Sequence, residues 1–152
     1  MTVLRETIEV AESQERAFDA VADFSTSAEW DPGVLAARRV RAGGDAPSGI
    51  GAEYALTVTF RGRSSEMTYT TTAYEPSRLV VLEGVGPKIR ATDTIELEPL
   101  ASGGTRITYT ADLRLSGAAR LAQPLLSGAF TEMGHRALAG MREWFERRTV
   151  ER

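Results

Sequence analysis

The chain has no cysteine and a single histidine, so its chemistry falls to carboxylates, phenols, hydroxyls and guanidinium groups. Disulfides, thiolate catalysis, zinc fingers and iron–sulfur ligation are excluded together. Asp93 is the most telling carboxylate. Alternation in residues 89–97 gives it the same face as Ala91, Ile95 and Leu97. A carboxylate on an apolar face is costly unless paired, and its pKa rises when it is desolvated. Asp93 is therefore either ion-paired or a proton-transfer group. Arg38 is the candidate partner, because Val34, Ala36, Arg38 and Val40 alternate onto one face; it could equally hold an anionic ligand head or steady an enolate. Tyr54, Tyr69 and Tyr109 fall on the inward faces of their own alternating runs. Buried phenols fill a core, or they orient a ligand carbonyl or hydroxyl. Glu83 lies in a run apolar on both faces, which leaves its side undetermined.

His135 is the residue a search for catalysis reaches first. At helical spacing it points about 140° from the apolar stripe of its helix, beside Glu132 and Arg136. It is expected to face solvent, and a Ser–His–Asp triad is rejected on that ground. Glycine pairs at Gly49–Gly51 and Gly84–Gly86 do not open helices, so they do not make phosphate loops.

These residues need elements to position them. Residues 3–10 alternate as a half-buried strand, with Leu4, Ile8 and Val10 inward. Ser13 can cap a first helix, and Thr26 with Glu29 can form a capping box for a second short one that stops at Trp30-Asp31-Pro32-Gly33. Strands follow over residues 34–41, 52–60, 79–84, 89–97 and 105–115, with one more carrying Met67, Tyr69 and Thr71. A Gly62-Arg63 turn of type II′ would set Val58 opposite Met67, Leu56 opposite Tyr69 and Tyr54 opposite Thr71. The Gly103-Gly104 turn allows Ile95 opposite Tyr109 and Asp93 opposite Ala111, again facing inward. Threonines crowd the other faces, as on a solvated sheet exterior. The chain from Ser116 to Arg148 is helical in pattern, unbroken after Pro124, with Leu126, Phe130, Met133, Ala137, Met141 and Trp144 in one stripe.

The 152 residues suit one domain (1–152) with one core. A net charge of −3 argues against nucleic acid as the main partner. No signal peptide and no stretch of roughly 20 apolar residues is seen; stable membrane insertion is not expected, and a cytoplasmic location is. Only Lys88 among the 18 basic residues is a lysine, and asparagine is missing, a usage that suggests a GC-rich, bacterial genome.

The motifs Ile8-x-Val10-Ala11-x-Ser13, Phe18-x-x-Val21-Ala22-Asp23, Trp30-x-Pro32, Glu75-Pro76-x-Arg78-Leu79 and Gly104-Thr105-Arg106-Ile107-Thr108-Tyr109 occur in this order ahead of the terminal helix. In that order they resemble the SRPBCC superfamily, which includes START domains and pollen-allergen-like proteins, and within it the bacterial polyketide cyclase/dehydrase-like branch. The resemblance implies an α+β helix-grip fold: a seven-stranded antiparallel sheet wrapped around a long C-terminal helix, with two short helices after the first strand. It also implies a deep apolar cavity between sheet and helix, though fold alone names no reaction.

On this reading the cavity is expected to hold a hydrophobic small molecule, polyketide-like or lipid-like. Asp93, Tyr69, Tyr109 and Arg38 are the candidate catalytic groups for cofactor-free cyclisation or dehydration. Tyr54, Leu56, Val58, Met67, Thr71, Ile95, Phe130, Met133 and Gly134 are the candidate ligand contacts. No metal or other cofactor is expected, and either a monomer or a homodimer fits. A carrier without chemistry, or an interaction domain of the chaperone-activator kind, are the alternatives.

Overall fold

A computed structural model describes residues 2–150. Seven antiparallel strands form one sheet: β1 (Thr2–Val10), β2 (Val34–Arg41), β3 (Glu53–Phe60), β4 (Arg63–Glu75), β5 (Leu79–Val85), β6 (Ile89–Pro99) and β7 (Thr105–Leu115). Their order is β1-β7-β6-β5-β4-β3-β2, so β2 to β7 form a meander and β1 closes onto β7. Between β1 and β2 lie α1 (Gln14–Ala22), a tight turn Phe24–Thr26 and the single-turn α2 (Ser27–Trp30). A second tight turn, Gly117–Ala122, leads into the 28-residue helix α3 (Gln123–Val150). This is the expected helix-grip architecture.

Local chemistry sets most of the boundaries. Ser13 caps α1 by accepting from the Arg16 N–H at 3.4 Å. Pro124 sits in the first turn of α3, where its missing N–H costs nothing. The expected capping box on α2 does not form. Thr26 has no capping bond there; its hydroxyl donates to the carbonyls of Ala20 and Asp23. Glu29 instead accepts from the Trp144 indole at 3.4 Å, which ties α2 to α3.

The β3–β4 turn corrects the expected register. The two loop residues are Arg61 and Gly62, both at positive φ (53° and 81°), the signature of a type I′ turn. Phe60 thus faces Arg63, Leu56 faces Met67 and Tyr54 faces Tyr69. The shift from the expected pairing is two residues. Side chains alternate with period two, so every residue kept its face. The β6–β7 register matches the expectation, with Ile95 opposite Tyr109 and Asp93 opposite Ala111.

The core lies between the concave side of the sheet and α3. Phe130, Ala137, Leu138, Met141, Trp144 and Phe145 are its buried helix residues, and Tyr54, Leu56, Leu82, Ile95 and Ile107 are among the strand residues beneath them. Two glycines let α3 approach closely. A Cβ on Gly140 would lie 2.0 Å from the Trp30 carbonyl oxygen, and one on Gly134 would lie 1.7 Å from a Leu4 methyl. Among the described residues, no helix is long and apolar enough to cross a membrane.

Candidate functional site

Toward one end, α3 and the sheet separate and leave a cavity of about 420 Å³. Leu56, Val58 and Met67 line one wall, and Leu126, Phe130 and Met133 of α3 line the other. Phe60 and Phe130 stack with centroids 4.8 Å apart and join the β3–β4 hairpin to the helix. A smaller space of about 90 Å³, bordered by Leu4 and Gly134, shares Asp31, Tyr69, Asp93 and Tyr109 with the larger cavity. An outer cleft of about 450 Å³ lies beyond Phe60 and Met133, which line both. Its acid Glu132 is paired with Arg136 at 3.3 Å, so the reactive groups belong to the inner cavity.

Those groups come from three elements. Asp93 points inward from β6, flanked by Ala91 and Ile95, and is buried with 6% exposure. Tyr109, inward on β7, donates its hydroxyl hydrogen bond to Asp93 Oδ2. Tyr69, inward on β4, has among the described residues only the Met67 sulfur as a hydroxyl partner, at 3.9 Å. Its ring lies over Gly84 of β5, where a Cβ would come within 2.5 Å of it. Phe24 packs against Tyr69 at 4.9 Å and Trp30 meets Tyr109 edge-on at 6.1 Å, so the segment between β1 and β2 walls off the inner end.

Asp31 completes the cluster. It follows Trp30 directly, lines the cavity, and accepts the Gly33 N–H at 2.8 Å. The sequence reading used Asp31 only as part of a helix stop. The available signal was an acid next to the large apolar residue of Trp30-Asp31-Pro32-Gly33, a turn tight enough to aim the carboxylate back under the sheet.

The electrostatics follow from burial. Desolvation raises the Asp93 pKa to about 7; the Tyr109 hydrogen bond opposes this and the neighbouring Asp31 adds to it. Asp31 is raised to about 6 by burial, against the bond from Gly33. Tyr69 and Tyr109 are pushed well above 10, first by burial and then by the two carboxylates. The cavity floor thus carries an acid that changes protonation near neutrality beside two phenols that stay protonated. Such a set can take a proton from carbon or oxygen and donate hydrogen bonds to a carbonyl. Among the described residues, no group of three or more His, Asp or Glu side chains is placed to hold a metal ion.

Several expected contacts lie elsewhere. Arg38 is exposed and paired opposite Ala55 on the convex side. A bulge between Val34 and Ala36 shifts the phase of β2 by one residue, turning Ala37 and Arg39 to the concave side. Arg38 is therefore neither the partner of Asp93 nor a cavity residue. Tyr54 is fully buried and donates to the Ala22 carbonyl at 3.3 Å; it is core, outside the cavity. Thr71 and Ile95 face inward but lie deeper in the core, away from the cavity lining. Glu83 faces outward, opposite Thr70 and Thr92. His135 is exposed on α3 and pairs through Nδ1 with Glu6 of β1. Leu56, Val58, Met67, Phe130 and Met133 line the larger cavity, and Gly134 the smaller one.

Residues 1–146 match the family described as "Polyketide cyclase / dehydrase and lipid transport". Among solved structures, a START superfamily protein from Mycobacterium smegmatis superposes with a TM-score of 0.81 at 16% identity, over 97% of this chain and 99% of that one. The ZhuI aromatase/cyclase from Streptomyces sp. R1128 superposes with a TM-score of 0.79 at 16% identity, over 97% and 94%. At these identities the likeness shows the fold alone. A comparison with curated protein sequences returns no significant match. The family supports a domain that binds hydrophobic ligands. On a match spanning nearly its whole length, the chain belongs to the polyketide cyclase/dehydrase and lipid transport family.

Proposed function

We propose that the chain binds a hydrophobic small molecule bearing a carbonyl group and moves a proton on it. One observation carries this reading: an acid with a pKa of about 7 and two phenols stand together at the inner end of an otherwise apolar cavity. The Asp93 carboxylate takes a proton from the carbon beside the carbonyl. Tyr69, whose hydroxyl has only a sulfur partner among the described residues, donates a hydrogen bond to the oxygen as it becomes an enolate. Tyr109 holds Asp93 in place, and burial, with a smaller contribution from Asp31, raises its proton affinity. Once the enolate carbon attacks a second carbonyl of the same molecule, the Asp93 proton passes to the new alkoxide. Cyclisation of this kind needs no cofactor, and loss of water from the product would be the dehydration. Arg38 plays no part.

A carrier without chemistry is the second reading. It is favoured by the Tyr109–Asp93 bond, in which each of the two groups has its partner within the protein. Native mass spectrometry of the purified protein, followed by incubation with a poly-β-ketone thioester, separates the two. Ligand uptake with cyclised product lost in Asp93→Asn and reduced in Tyr69→Phe supports the enzyme. Uptake and release of unchanged ligand by the wild type supports the carrier. A chain that takes up no hydrophobic compound refutes both.

A further inference from the structure

The cavity has a polarity along its depth. Both of its carboxylates, Asp31 and Asp93, lie at the inner end with the tyrosines, and the cations that line it among the described residues, exposed Arg63 at the start of β4 and exposed Lys88 in the β5–β6 turn, lie at the mouth. Arg63 is paired opposite Phe60, so its side chain leaves β4 on the concave side. Lys88 sits in the β5–β6 turn, closed by the Gly86 N–H donating to the Ile89 carbonyl at 2.9 Å. Its own carbonyl accepts the Ser116 N–H at 2.9 Å, which holds that turn against the start of the segment leading to α3. Arg39, Arg41, Arg78, Arg106, Arg114 and Arg136 all pair with carboxylates. Among the described residues, Arg63 and Lys88 have no such partner; other arginines, Arg5, Arg16 and Arg61 among them, are likewise unpaired, but these two are the ones that line the cavity. A chain of net charge −3 thus places two uncompensated cations beside the apolar side chains of Ile89, Leu115 and Leu126.

We infer that the cavity selects amphipathic anions, with a carboxylate or phosphate head held at the mouth by Arg63 and Lys88 and the apolar body inside. This rests on the reading of the cavity as a hydrophobic-ligand site. A guanidinium supplies a planar fork for an oxyanion and an ammonium a mobile point charge, so the pair accepts either head. The opposite orientation would bring an anion against Asp31 and Asp93, where like charge and burial oppose it. The head at the mouth also points the far end of the ligand at Tyr69 and Asp93.

The test is calorimetric binding of dodecanoate, dodecyl phosphate and dodecanol to the wild type, Arg63→Gln, Lys88→Gln and the double variant. The expected result is tighter binding of both anions than of dodecanol. Each single change should weaken the anions roughly threefold and both together about tenfold, the scale of solvent-exposed ion pairs. Dodecanol affinity should stay constant, which also shows that the variants are folded. Added salt should weaken the anions alone. The order of dodecanoate and dodecyl phosphate identifies the preferred head, and either order agrees with the inference. Equal binding of dodecanol and dodecanoate by the wild type, or an anion preference surviving in the double variant, overturns the inference and leaves the hydrophobic-ligand reading standing. Binding of none of the three overturns both.

Discussion

Asp93 is held between opposed influences, and its behaviour with pH follows from them. Its folded pKa of about 7 lies above the ordinary value of 3.8, as does that of Asp31 at about 6. Between pH 4 and 7 the folded chain therefore binds more protons than the unfolded one. The stability these two acids contribute is complete below about pH 4 and is lost as pH rises through 6 and 7. Asp93→Asn removes the larger part of that loss. Its melting temperature should exceed the wild type's at pH 8, converge with it at pH 4, and show a flatter pH profile in thermal scans. Tyr109→Phe should do the reverse to the acid itself. With the hydrogen bond gone, the Asp93 pKa moves above 7, which carboxyl resonances followed by NMR would report; an unchanged or lower value would show that the phenol is not its partner. His135→Ala should change stability by no more than about 0.5 kcal/mol, as an exposed substitution does, because its partner Glu6 is reached across the surface of α3.

At the scale of elements, glycines decide how closely strands and helix approach the site. Gly84 is a strand residue whose missing side chain makes the berth for the Tyr69 ring. Gly84→Ala should push that ring toward the cavity, lowering ligand affinity with little change in far-UV circular dichroism; unaltered affinity would mean that the ring position is irrelevant to binding. Gly140→Ala meets a backbone oxygen of Trp30, which cannot rotate away. Better helix propensity adds about 1 kcal/mol, but overpacking costs about 1–3 kcal/mol, so the variant should be the less stable one in denaturant titration. The bulges of β2 belong to this scale as well. Alternation in residues 34–40 was visible in the sequence, yet the residue that breaks it lies in the pairing of β2 with β3. A bulge depends on what the neighbouring strand offers, so Arg38 could not be oriented from its own segment.

For the whole molecule, the gap between sheet and helix is the functional feature. A hydrophobic ligand that fills it should raise the melting temperature with concentration, as any ligand specific to the folded state does. Val58→Trp, which places a large ring on the cavity wall, should abolish that ligand-dependent rise while leaving the fold intact; a persisting rise would place the binding site elsewhere. Seven strands, their inward faces and the apolar stripe of α3 were legible in the sequence because periodicity two and periodicity 3.6 are local properties. The two-residue slip of the β3–β4 turn was not legible, yet it moved no residue to the other face, since it matched the period of the pleat. Asp93 and Tyr109 could be placed on the inward faces of adjacent strands because the Gly103-Gly104 turn allows a register that keeps both alternations inward, and residues 100–104 between Pro99 and Thr105 make that register. Only the tertiary structure decided which inward residues meet empty space. Tyr54, Thr71 and Ile95 share a face with Tyr69 and Asp93, but cavity or core is settled by where α3 and the Phe24–Trp30 segment lie above that face. The same packing brought Asp31, more than sixty residues away in the chain, to Asp93. Alternation sets the side of the sheet on which a residue lies; the atoms opposite it come from remote parts of the chain.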